Sequence, residues 1–283
     1  MEPLSVNEIQ RAVRQALEED VGSGDVTTLA TVPEKASARA AMVTREPLVL
    51  AGIEFAEAAF LELSAAVKIE RLVADGQSAN AGSKLLSIVG PARAILSAER
   101  VALNFVQRLS GVATLTHQFV QRVEGTEARI LDTRKTTPGW RRFEKYAVCC
   151  GGGQNHRFGL FDMVLIKDNH LAALSDEPDP IATAVERARL RYPQLKVEVE
   201  ADNLDQVEKA ARAGADIILL DNMTPEQLGV AVKLVKGRAQ TEASGGVNLA
   251  SVRSIAESGV NFISVGALTH SARATDIGLD FEF

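Results

Sequence analysis

The sequence predicts an α/β protein whose second half is a barrel of parallel strands. Three observations carry this. After Gly125, short apolar runs alternate with helical stretches, the pattern of consecutive βα units. The runs are short and apolar rather than long and amphipathic, as expected when both faces of a sheet are covered. Nearly every strand ends in a polar residue or glycine able to act on a ligand, and a parallel barrel gathers such ends on one rim. An open doubly wound sheet would concentrate them at one switch point instead of on successive strands.

The elements follow in order. Ser5 and Glu8 have capping-box spacing ahead of a helix over 6–19. A turn-rich stretch, Asp20–Thr28, comes next. Segments 36–51, 67–74 and 84–90 read as strands and 53–64 as a helix. From Ala94 to about Glu124 the apolar spacing is helical, with a break or kink expected at Gly111. The barrel strands are 129–133, 162–166, 196–200, 216–220, 241–244 and 261–265. Their helices are 178–192, 204–213, 225–236 and 249–258, with Asn248 placed to cap the last.

Composition narrows the function. The chain has 283 residues and a net charge of −6, with 24% charged and 46% hydrophobic residues, an ordinary globular mix. No apolar run approaches the length of about 18 residues that a membrane span needs, and the start lacks the basic and apolar regions of a signal peptide. Cys149 and Cys150 are adjacent and read as small buried side chains, so the expectation is a reducing cytoplasm. Against the acidic background, Arg134, Lys135, Arg157 and Lys167 fall within a short stretch among glycines and histidines. A local cationic site suits a small polyanion better than a nucleic acid, which is met by charge spread over a face.

The rim residues divide by chemistry. Arg134 and Lys135 follow the first barrel strand and Lys167 the second; Glu200 ends the third and Asp221 follows the fourth. Ser244-Gly245-Gly246 closes the fifth and Gly266 follows the sixth. The Ser244 loop, between strand and helix, can present backbone N–H groups to a phosphate. His156-Arg157 beyond Gly151–Gly153 strengthens an anion site, since arginine forks onto carboxylates. The glycine run itself is either a phosphate loop or a plain backbone crossing. Glu200 and Asp221 could take a divalent metal, sugar hydroxyls or a developing cation, or pair with the cations. His117 and His270 read as structural, and His170 is ambiguous. No histidine pair has zinc spacing. These features fit transfer from a phosphorylated sugar to an anionic acceptor. Schiff-base chemistry on Lys135 or Lys167, the aldolase arrangement, is the alternative, and a phosphometabolite-binding protein is a third. The number of cations favours two polyanionic ligands.

Taken as ordered motifs, these residues resemble the quinolinate phosphoribosyltransferase family. The resemblance covers Gly24–Thr28, Ala98–Asn104, Asp132–Gly139, Gly151–Arg157, Lys167–His170, Glu198–Glu200, Leu220–Asn222 and Ser244–Gly246. It implies an N-terminal α/β sandwich domain over 1–110, joined by the tail 268–283, and an open TIM-like α/β barrel over 111–267, the type II phosphoribosyltransferase plan. It implies a homo-oligomer, at least a dimer, in which a neighbour completes the active site with Arg100. Arg134, His156, Arg157 and Lys167 match residues that hold the quinolinate carboxylates and phosphates, with Lys135 a further basic residue of that site. Glu200 and Asp221 match the carboxylates that meet the ribose hydroxyls and, directly or through water, Mg2+. Ser244, Gly245, Gly246 and Gly266 match the 5′-phosphate site. Lys135, Lys167, Glu200 and Asp221 are the implied catalytic set. The implied reaction joins quinolinate to phosphoribosyl pyrophosphate and gives nicotinate mononucleotide, pyrophosphate and CO2, with no membrane or nucleic-acid partner.

Overall fold

A computed structural model describes residues 3–282. In chain order come α1 (Val6–Val21), α2 (Val26–Thr31), β1 (Ser37–Thr44), β2 (Leu48–Val49), α3 (Ile53–Leu63), β3 (Lys68–Arg71), β4 (Ser78–Ala79), β5 (Lys84–Pro91) and the long α4 (Ala92–Arg122). There follow β6 (Arg129–Leu131), α5 (Arg141–Cys150), β7 (Val164–Ile166), α6 (Asp168–Ala172), α7 (Pro180–Arg191), β8 (Val197–Ala201), α8 (Leu204–Ala213), β9 (Ile217–Asp221), α9 (Pro225–Val235), β10 (Gln240–Ser244), α10 (Val252–Glu257), β11 (Phe262–Ser264), α11 (Ala267–His270) and β12 (Ile277–Glu282). They group into two compact units. The first takes the chain as far as His117, Arg142–Gly152 and the tail from Ala272; the second takes Gln118–Arg141 and Gly153–Ser271.

In the first unit, an antiparallel sheet has the order β12-β1-β5-β3. The tail strand β12 pairs with β1 from Thr44–Ile277 to Arg39–Glu282. The capping box forms as the sequence predicts: the Ser5 hydroxyl accepts from the Glu8 amide, and the Glu8 carboxylate accepts from the Ser5 amide at 2.8 Å. Behind it α1 buries Ile9, Val13 and Leu17. The strand expected over 36–51 divides into β1 and β2. Pro47 brings no N–H to a ladder, and Arg45 N–H instead donates to Asp276 across the turn. Helix α2 lies within the stretch read as turns. Asp25 caps it by accepting from the Thr28 amide at 3.0 Å, a local signal masked by Gly22 and Gly24 just before it.

Helix α4 runs through Gly111 without the expected break. The glycine is there for proximity, since a Cβ at this position would lie 2.0 Å from the carbonyl oxygen of Arg273. Helix α5 was not foreseen. Its Phe143 meets Phe55 edge-on at 5.0 Å, and Phe55 stacks on Phe105 at 4.7 Å, so aromatic packing ties α5 into the first unit. Tyr146 donates to Asp75, whose carboxylate also accepts the Gly52 and Ile53 amides at the start of α3. Cys149 and Cys150 are free thiols. Burial, then the nearby Asp75, pushes Cys150 up to about 12, which makes it an inert packing residue.

In the second unit, six parallel strands take the order β6-β11-β10-β9-β8-β7 among the described residues. The last barrel strand thus returns to the first, and β6 and β7 do not pair. Gln154 instead bridges β6 in parallel at Leu131, with Gln154 N–H donating to Ile130 and Asp132 N–H to Gln154. The strands are apolar and mostly buried, β9 as Ile217–Leu220 and β8 as Val197, Val199 and Ala201, in line with a sheet covered on both faces. The helices sit where the spacing predicts, and several carry side-chain caps: Asp179 before α7, Asn203 before α8 and Thr224 before α9. Helix α10 is shorter than expected. Asn248 accepts from the Ala250 and Ser251 amides, closing a turn ahead of the helix rather than capping it.

Two outcomes follow for stability. Hydrogen bonds from the Ser5 amide and hydroxyl, and then the Arg142 guanidinium, hold Glu8 down to about 2 against the opposing effect of burial. A lowered folded value stabilises the protein above the unfolded value near 4.5 and loses that contribution as pH falls toward 2. Glu8→Gln is therefore expected to lower the melting temperature at pH 7, with the difference from the parent closing over that window. Gly111→Ala is expected to cost about 1–3 kcal/mol in denaturant titrations, because the methyl group meets backbone.

Candidate active site

The C-terminal ends of the barrel strands enclose a cavity of about 680 Å³, room for two small ligands. Its lining includes Arg134, Lys135, His156, Arg157, Lys167, Glu200, Asp221, Ser244, Gly245 and Gly246, and adds Thr133, Asn222, Glu242 and Ser264. Of the residues singled out in the sequence, Gly266 lies just behind this lining, 3.0 Å from Lys135 Cδ as measured from the Cβ it lacks. Arg100 is not among the lining residues; on α4 in the first unit, it borders a concavity with Asp25 and Ser97. Gly151–Gly153 does not line the cavity. Gly151 is a backbone crossing, since its Cβ would sit 2.3 Å from the Ala113 carbonyl oxygen.

The loop carrying His156 and Arg157 is anchored by Asp132 at the end of β6. This fully buried carboxylate accepts from the His156 amide at 2.9 Å and from the Asn155 side chain at 2.6 Å. Asp162 fastens the following turn by accepting the Phe158 and Gly159 amides. Arg157 is held by Met163 O. Its guanidinium is pulled below its usual range, first by burial and then by the neighbouring Arg134. Arg134 Nε is buried and has no hydrogen-bond partner among the described residues. Two neighbouring guanidiniums, one with an unmet N–H, suit an anion.

On the opposite side, Lys167 forms an ion pair with Glu200. Asp221 accepts from the Asn222 amide group at 2.6 Å. Burial, then Glu200 and Asp202, pushes the Asp221 carboxyl up. Crowded oxygen ligands of this kind suit a hard divalent cation or a cationic transition state. Gly245 takes φ +95°, and a Cβ there would lie 2.1 Å from Asn222 Oδ1, so the phosphate-loop reading acquires a steric reason for glycine. His170 accepts from the Lys167 amide at 2.9 Å, which makes it structural. Lys135 is fixed at its carbonyl by the Thr269 hydroxyl, and its ammonium is left at the exposed rim.

The sequence reading missed Glu198 and Glu242, which are 0% and 1% exposed. His156 Nε2 lies 3.1 Å from Glu198 and 3.4 Å from Glu242. The signal was partial: each is a carboxylate in the interior of a predicted barrel strand, at Val197–Ala201 and Gln240–Ser244. Burial opposes charge on the imidazole while the two carboxyls favour it. Nδ1, however, receives the Arg157 amide N–H at 2.7 Å, and that leaves the ring proton on Nε2, facing the carboxyls.

Comparison with known proteins agrees with this geometry. The quinolinate phosphoribosyl transferase N-terminal domain family matches residues 25–110 and the corresponding C-terminal domain family residues 112–280. The chain is 44% identical to the nicotinate-nucleotide pyrophosphorylase (carboxylating) of Mycobacterium leprae, over 95% of each chain. It is 42% identical to a probable enzyme of that name from Bacillus subtilis, over 93% of this chain and 89% of the relative. The solved nicotinate-nucleotide pyrophosphorylase from Francisella tularensis superposes with a TM-score of 0.93 at 40% identity, covering 99% of this chain and 98% of that one. A cavity of paired guanidiniums and opposed carboxylates, on this fold and with these relatives, places the chain in the quinolinate phosphoribosyltransferase family.

Proposed function

We infer that the protein transfers the phosphoribosyl group of phosphoribosyl pyrophosphate to quinolinate with loss of CO2, giving nicotinate mononucleotide and pyrophosphate for NAD biosynthesis. The adjoining Arg134 and Arg157, with the unmet Arg134 Nε, are the observation that carries this reading. They suit the two carboxylates of quinolinate and orient the ring nitrogen toward the sugar. Lys135 and Lys167 face the phosphates, and Ser244, Gly245, Gly246 and Gly266 take the 5′-phosphate at the loop after β10 and the start of α11. Glu200 and Asp221 meet the ribose hydroxyls and oppose the positive charge that develops as pyrophosphate leaves. The same two carboxylates would hold Mg2+, which when bound supplies charge neutralisation for the departing pyrophosphate.

N-ribosylation turns the ring into a pyridinium, which accepts the electron pair as CO2 departs. A protein amine is not required. Lys167 is tied to Glu200, unlike the desolvated, unpartnered amine of Schiff-base catalysis. Arg100 lies outside the lining of this cavity, and we assign it to the site of a second copy in a homo-oligomer. Among the described residues, no helix is long and apolar enough to cross a membrane.

The purified protein is expected to release CO2 from carboxyl-labelled quinolinate only when phosphoribosyl pyrophosphate and Mg2+ are present. Product from nicotinate with none from quinolinate would sink the assignment. Arg157→Ala is expected to raise KM for quinolinate on the order of a hundred-fold, the scale of a lost charge-assisted pair, with a smaller change for phosphoribosyl pyrophosphate. Arg100→Ala and Lys167→Ala, each inactive alone, are expected to recover part of the activity when mixed and re-equilibrated; no recovery would argue against a shared site.

A further inference from the structure

Glu198 and Glu242 are buried carboxyl groups at the cavity that the reaction as described does not use. Both carboxyl groups are buried, and apart from the approach of His156 their four oxygens accept no hydrogen bond among the described residues. Burying a carboxylate costs several kcal/mol unless something offsets it, and two carboxyls for one N–H are more than orientation of the ring requires. The group of three has the composition of a metal site. With Nδ1 engaged by the Arg157 amide, however, Nε2 carries the proton and has no lone pair for a metal. Burial pushes the Glu198 carboxyl up and Glu242 adds to this, while the His156 hydrogen bond and then the Arg157 guanidinium draw it back toward the anion. Glu242 and His156 line the cavity beside Arg134 and Arg157.

We propose that Glu198 and Glu242 form a buried anionic floor beneath the guanidinium clamp, and that this floor favours departure of a substrate carboxylate as CO2. The inference rests on the function proposed above. In the step concerned, the carbon–carbon bond to one carboxylate breaks. The electron pair stays on the ring carbon, stabilised by the pyridinium nitrogen. Neutral CO2 leaves, and the carbon takes a proton from water. Negative charge leaves the carboxylate group in this step. A fixed anion nearby therefore opposes the bound dianion more than the transition state, which raises kcat and weakens ground-state binding. The guanidiniums hold the diacid; the floor keeps them from holding it too well. Glu198 and Glu242 thus act through the field and through His156, as positioning and charge-setting residues.

The test uses Glu198→Gln and Glu242→Gln, which keep shape and an acceptor for His156 Nε2 but remove the charge. Three quantities are measured on each: the melting temperature, the calorimetric Kd for phthalate, and kcat and KM for quinolinate. Phthalate carries the two adjacent carboxylates but has no ring nitrogen to react. The expected result is phthalate binding about three- to ten-fold tighter, KM for quinolinate lowered in step, and kcat reduced on the order of ten-fold. KM for phosphoribosyl pyrophosphate is expected to stay within about two-fold. Unchanged or weaker phthalate binding in a folded variant overturns the proposal, as does a fall in kcat without a gain in affinity, the pattern of a merely structural loss. Should one variant not fold, the other carries the same test. Wild-type protein that releases no CO2 would overturn the proposed function itself; an active wild type with no shift in either variant overturns only the floor.

Discussion

Arg134 and Arg157 repel each other, and much of the barrel rim is arranged to keep them together. Each is set by a different element, Arg134 by the end of β6 and Arg157 by the loop that returns beside it. Asp132 fixes that return by accepting the His156 amide and the Asn155 side chain, and the His156 ring receives the Arg157 amide. Two like charges held close in a half-buried place store repulsion that an anion with two carboxylates relieves. On the function proposed, affinity for a diacid resides in the backbone that positions the arginines as much as in the arginines themselves.

The carboxylates divide into two groups around this clamp. Glu200 and Asp221 are accessible to the cavity and face Lys167 and each other, so they can meet a sugar, a cation or a metal. Glu198, on the same strand as Glu200, and Glu242, on the strand next to that of Asp221, are buried against His156. Depth along the barrel accounts for the division: Glu198 and Glu200 lie two apart on β8 and share a face, but Glu198 is fully buried. Carboxylates one turn of pleat apart therefore acquire different chemistry from burial alone.

Much of the architecture was legible because it is local. Short apolar runs between capped helices gave the βα units, and the rim residues fell at strand ends by count alone. What escaped was non-local. Gly111 reads as a helix breaker, yet it admits the backbone of a segment more than 160 residues away in sequence. Helix α5 owes its place to Phe143 meeting Phe55. Pro47 and the partner strand from the tail divide a run that looked like one strand. The run Gly151–Gly153 had a phosphate-loop composition, but backbone contact explains it better.

By itself the sequence determined which residue types stand at the ends of successive strands, and hence the polyanion chemistry of the site and the family that shares it. Periodicity and capping are short-range and survive in one dimension. Only the tertiary structure decided that Arg134 and Arg157 lie side by side, that Lys167 closes on Glu200, and that Glu198 and Glu242 sit beneath His156. These depend on distances across the barrel and on how much water each group loses, and charge and solvation act through space rather than along the chain.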